Sequence, residues 1–93
     1  MKATFKVKLE TEIDYHLQLP YYCKSKTSYY KIIDQQTAIK VEYWHAEYYS
    51  VSVISPTTAL KCADEHCNSE DFYLALQQVV SYINHKAAKY ETI

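Results

Sequence analysis

The sequence predicts an α+β fold: an antiparallel meander of four to five strands with one amphipathic C-terminal helix packed on one face of the sheet. Three observations carry that expectation. Apolar and polar residues alternate with period two along most of the chain from Lys2 to Val53, the mark of strands with one face turned to a core. The breaks between alternating blocks are only a few residues long, enough for antiparallel neighbours but not for the crossovers that parallel strands need. The last quarter then changes to helical spacing.

Taken in order, Ala3, Phe5, Val7, Leu9, Ile13, Tyr15, Leu17 and Leu19 hold the odd positions of the first block. Lys2, Thr4, Lys6, Lys8, Asp14, His16 and Gln18 hold the even ones. The Glu10-Thr11-Glu12 interruption is open to two readings, a hairpin turn or a bend within one long strand, because parity is kept across it. Pro20 cannot donate a backbone hydrogen bond and should stop pairing, and Tyr21 to Thr27 reads as a polar loop. Tyr29 to Asp34 is the next strand block, followed by a turn at Asp34-Gln35-Gln36-Thr37 and a strand from Thr37 to Trp44. There Ile39, Val41 and Tyr43 oppose Lys40 and Glu42. After a short loop at His45-Ala46-Glu47, Tyr49, Val51 and Val53 alternate with Ser50 and Ser52 up to Pro56. Thr57 to Cys67 is ambiguous, and within it Thr57 to Cys62 fits a last edge strand or one helical turn. Asn68 is the expected N-cap of the helix, with Glu70 and Asp71 at the positive end of its dipole and Lys86 and Lys89 near the negative end. Phe72, Leu76, Val79, Val80, Ile83 and Ala87 form one apolar stripe, which a sheet face must cover for the helix to persist.

Composition narrows the function. The 93 residues read as one domain, 1–93, 48% apolar and 23% charged, within the range of globular chains. No apolar run approaches the roughly 20 residues of a membrane helix. The N-terminal residues alternate instead of forming an apolar block, so no signal peptide is expected. Three cysteines, Cys23, Cys62 and Cys67, make an odd set that argues against a disulfide framework. Together these point to a cytoplasmic protein. Glycine is absent, which excludes P-loops, dinucleotide fingerprints and nucleophile elbows, all of which need glycine backbone geometry. Every basic residue is lysine, and the lack of arginine argues against sequence-specific nucleic-acid recognition. Scarce Gly, Arg and Pro beside abundant Tyr, Lys and Ile suggest an AT-rich coding sequence, pointing to a phage, a mobile element or a low-GC host.

The eleven tyrosines give the leading candidate site. Tyr21-Tyr22, Tyr29-Tyr30 and Tyr48-Tyr49 are adjacent pairs, and strand neighbours point to opposite faces. One member of each strand pair must therefore leave the core face, and Trp44 lies opposite the Ile39-Val41-Tyr43 face. Tyr30, Trp44 and Tyr48 are thus the expected outward aromatic cluster, of the kind that anchors protein interfaces. The corresponding function is a non-enzymatic protein-binding module, whose partner is another protein or a second copy of the chain in a homodimer. A phage or mobile-element origin would suit an inhibitor of a host protein or a small structural component. The plainer reading is that other parts of the chain cover these rings.

Two alternatives remain. Cys62, His66 and Cys67 offer thiol and imidazole ligands for zinc, with Cys23 or His16 as a further ligand, but the spacing departs from the paired Cys motifs of structural zinc sites. Cys67 also precedes the helix, where a dipole can lower a thiol pKa, yet no orienting group or oxyanion hole accompanies it. No cofactor, metal or catalytic residue is therefore expected. Lys2, Lys6 and Lys8 form a row that would suit a single-stranded nucleic acid, with tyrosines stacking on bases. The acidic total of eleven against ten lysines favours a solvated sheet face instead.

Overall fold

A computed structural model of the chain describes residues 1–43 and 49–91, with side chains described up to residue 88. The Lys89 side chain, Trp44, Tyr48 and the expected loop at 45–47 lie outside the described residues. The architecture is α+β: a five-stranded antiparallel sheet and a two-stranded one, with the C-terminal helix packed on the larger sheet.

The first alternating block is a hairpin. Strands β1 (Lys2–Lys8) and β2 (Glu12–Gln18) pair antiparallel with Val7 opposite Ile13 and Ala3 opposite Leu17. The chain reverses over Leu9-Glu10-Thr11, where the Leu9 N–H donates to the Thr11 carbonyl at 3.2 Å. Parity survives because the pairing places Ala3, Phe5 and Val7 on the same face as Leu17, Tyr15 and Ile13. This hairpin is a separate two-stranded sheet, so the expected meander of four to five strands begins only after it.

The larger sheet contains β3 (Tyr21–Lys24), β4 (Ser28–Ile32), β5 (Ala38–Glu42), β6 (Ser50–Ile54) and the two-residue β7 (Glu65–His66), in the order β6-β5-β4-β3-β7. Strand β3 falls where a polar loop was expected. Its Tyr-Tyr-Cys-Lys sequence does not alternate because both of its faces are covered: Tyr22 packs on Phe72 on one side, while Cys23 enters the core on the other. The β4–β5 turn is held by the Ile33 N–H donating to the Thr37 carbonyl at 3.0 Å and the Gln36 N–H donating to Asp34 Oδ1 at 2.8 Å. Of the two readings of Thr57 to Cys62, the helical one holds. Helix α1 (Pro56–Cys62) opens on Ser55, whose Oγ accepts the Thr58 N–H at 3.2 Å, with proline at the first turn where no N–H is missed. Then β7 adds to β3 as an edge strand.

Helix α2 (Ser69–Glu91) starts where expected, the Asn68 Oδ1 accepting the Asp71 N–H at 2.9 Å. Its buried line is Phe72, Ala75 and Val79, flanked by half-buried Leu76 and Tyr82. The sequence stripe placed Val80, Ile83 and Ala87 in that line, but these are exposed. At 3.6 residues per turn, the docked face is rotated by roughly 50° from the stripe, toward Ala75 and toward Tyr82, which meets Tyr49.

The larger sheet is covered on both faces. On one, α2 packs over Val41, Tyr29, Ile39 and Tyr43. On the other, Cys23, Tyr30, Ile32 and Ala38 share a core with Phe5 and Val7 of the hairpin and with Ala59 and Leu60 of α1. Among the described residues no helix is long and apolar enough to cross a membrane.

Candidate interaction surface

The second cover decides the fate of the expected aromatic cluster. Tyr30 does leave the α2 face, as strand geometry requires. It lands in the opposite core, 2% exposed, beside the hairpin and α1. An outward anchoring role for Tyr30 is therefore corrected: the ring that would have faced water fills the second layer. Trp44 and Tyr48 lie outside the described residues.

Tyrosines do gather, but on the α2 side. Tyr43 and Tyr49 stack with centroids 5.2 Å apart, Tyr29 lies 6.4 Å from Tyr43, and Tyr82 meets Tyr49 edge-on at 5.2 Å. The Tyr43 hydroxyl donates to Gln78 of α2. Of these half-buried rings, Tyr29 and Tyr49 are the other members of the sequence pairs 29–30 and 48–49. At the far end of the helix, Lys31 donates to the Tyr73 hydroxyl and sits over the Tyr22 and Tyr73 rings. That ammonium, followed by the Tyr22 hydroxyl, lowers the Tyr73 phenol below its ordinary value. Burial raises Tyr22.

The more exposed feature is β6, which the sequence analysis read only as a strand. Among the described residues, β6 is bonded to β5 alone and forms one edge of the sheet. Val51 stands opposite fully buried Val41, and Val53 opposite Ile39, so both valines share the α2 face. Val53 is nevertheless 71% exposed, and Val51, Val80 and Ile83 are also exposed. The two edges are built differently. Strand β7 is two residues long, carries Glu65 and His66, and ties Glu65 to Lys24 at 3.2 Å. Strand β6 spans five residues, Ser-Val-Ser-Val-Ile, without a charge. Short length and charge are the usual protections of an edge, and β7 has both while β6 has neither. The signal was present in the sequence as a charge-free run, but its edge position was not.

The cysteine–histidine segment is drawn apart by the same elements. Cys62 ends α1 and is exposed, His66 lies in β7 against the Tyr21 ring at 5.5 Å, and Cys67 is buried. Among the described residues, no three His, Cys, Asp or Glu side chains are grouped to hold a metal ion. Burial, then Asp71, raises the Cys67 thiol, opposite to the lowering expected from its place before α2. Burial, then Cys67, pushes Cys23 up to about 12. Both thiols therefore favour the protonated form, whereas a nucleophilic cysteine acts as the thiolate.

The lysine row is matched by acids from its own hairpin. Lys6 pairs across the strands with Asp14 and Lys8 with Glu12, and Lys6 Nζ lies 3.9 Å from Glu12. A face of alternating sign suits solvation better than a polyanion track. Comparisons with protein-family models, with curated proteins and with solved structures found no match.

Proposed function

We propose that this chain is a small non-enzymatic protein-binding module that meets its partner through the β6 edge and the adjoining exposed side of α2. The observation that carries the reading is a five-residue, charge-free edge strand with Val53 71% exposed, in a sheet whose other edge is short and charged. Such a strand offers backbone donors and acceptors to an extended segment, and its alternate side chains supply selectivity. Val80 and Ile83 extend the apolar area on the same side of the sheet. Trp44 and Tyr48, placed by the sequence between β5 and β6, join the proposal as aromatic anchors; Tyr30, being buried, does not. Where the low-GC composition reflects a phage or mobile element, the module would serve as an inhibitor of a host protein or a small structural component.

The test is a tagged pull-down at low and high salt with three proteins: the wild type, Val53→Lys, and Trp44→Ser with Tyr48→Ser. A partner held by the wild type at both salts and lost with Val53→Lys supports the β6 surface. Loss with the double variant adds the aromatic residues. Undiminished capture by both variants removes this surface from the function. Capture that collapses at high salt would instead indicate nucleic acid bound by the lysines.

A further inference from the structure

Resting on the β6 reading, we infer that the partner fitting this edge is a second copy of the same chain, bound by antiparallel β6–β6 pairing about a two-fold axis at Ser52. Strand β6 spans Ser50–Ile54 with Ser52 at its centre. An isologous antiparallel pair centred there sets Ser52 against Ser52 of the copy, Val51 against Val53, and Ser50 against Ile54. Valine then meets valine on the α2 face, and on the other serine meets serine at the axis with Ser50 beside Ile54 at each end. A two-fold axis brings every group near it against its own kind, so a charge there would repel itself. Ser50 to Ile54 carry none.

The area requirement brings in α2. A stable interface covers roughly 800 Å² on each partner, about an eighth of this chain's 6427 Å². One five-residue strand does not supply that area. The exposed Val80 and Ile83, on the helix that covers the same sheet face and touches β6, are the apolar surface available to complete it. The dimer would thus continue the sheet to ten strands, with the two α2 helices on one side.

The test is sedimentation of the full chain over a wide concentration range. The wild type is expected to dimerise. Val51→Lys with Val53→Lys places lysine opposite lysine at both valine pairs and should weaken self-association on the order of 100-fold or more. Both positions are exposed, so the fold persists, checked by circular dichroism. Mixing that variant with Val51→Glu/Val53→Glu should restore a mixed dimer. Register is tested by Ser52→Cys in a Cys62→Ser background. Directly opposed strand residues have Cα atoms roughly 4.5–5.5 Å apart, within disulfide reach, so this protein should form an interchain disulfide, whereas Lys61→Cys in the same background should not. A wild type that stays monomeric at the highest concentration reached overturns the inference, as does a dimer indifferent to the lysine pair. If a different protein is still captured in a Val53-dependent manner, the binding-module reading survives that result.

Discussion

Val79 and Val80 provide a controlled test of how α2 docks, since they are the same residue type at neighbouring positions of one helix. The periodic stripe includes both, but the structure buries Val79 completely and leaves Val80 41% exposed. Replacing Val79 by alanine removes two carbon groups at about 0.8 kcal/mol each and leaves a cavity between Val41 and Phe72, bringing the loss to about 2.5 kcal/mol. Alanine recovers about 0.6 kcal/mol of helix propensity, for a net cost of about 2 kcal/mol. At Val80 no cavity forms, because water already reaches the site. The transfer loss there is about 0.9 kcal/mol, and the same propensity gain reduces the net effect to about 0.3 kcal/mol. Propensity cancels between the variants, leaving a difference of about 1.6 kcal/mol, or about 10 °C in Tm for a domain of this size. Urea unfolding followed by circular dichroism, at two protein concentrations to separate self-association, measures the difference. Equal costs, or a larger cost at Val80, would show that α2 docks along the stripe and refute the rotated face.

Two further outcomes follow from local geometry. Asn68→Ala removes the acceptor of the Asp71 N–H and should lower stability by about 1 kcal/mol, while Asn68→Asp should retain it; an unchanged urea midpoint in the alanine variant would mean that the cap contributes nothing. In the folded protein, Cys62 should label rapidly with a thiol reagent, and Cys23 and Cys67 only on unfolding, because Cys62 is exposed and the others are buried. The Cys23 thiol, raised from 9.0 to about 12, also sets a pH dependence. Below pH 9 the thiol is protonated in both states and its contribution is full. Between 9 and about 12 the unfolded chain releases the proton and the native one does not, so stability falls as pH rises. Cys23→Ala should flatten that part of the profile. Tyr21, Tyr22 and Tyr49, also raised by burial, continue to act in both proteins, so the comparison is between the two slopes.

The structure bears on the three function classes unequally. Burial raises the Cys23 and Cys67 thiols, which disfavours thiolate chemistry, and among the described residues no three His, Cys, Asp or Glu side chains are grouped to hold a metal ion. The acids opposite Lys6 and Lys8 weaken the case for a nucleic-acid track. The β6 edge is the feature that favours binding to protein, and it does so through backbone as much as through side chains.

The sequence by itself determined most elements whose two sides differ. Alternation located β4, β5 and β6 and marked residues 2–19 as strand, leaving one strand or a hairpin open, and the Asn68 cap with its acidic first turn located the start of α2. Each of these signals is local, since a strand with one buried face or a helix end with unpaired donors writes its requirement into neighbouring residues. The sequence left β3 as a loop, because a strand buried on both faces has no polar side to alternate with. It also placed Tyr30 outside and Val80 inside. Strand geometry correctly turned Tyr30 away from α2, but only the tertiary structure brought the hairpin and α1 over the opposite face and buried the ring. Likewise, the stripe marks which side of α2 is apolar, while the angle at which it docks rests on contacts with the sheet such as Tyr82 against Tyr49. The exposure of β6 is a matter of strand order. Its residues are legible in the chain, but which strand ends a sheet depends on contacts between segments far apart in sequence, and no local pattern records them.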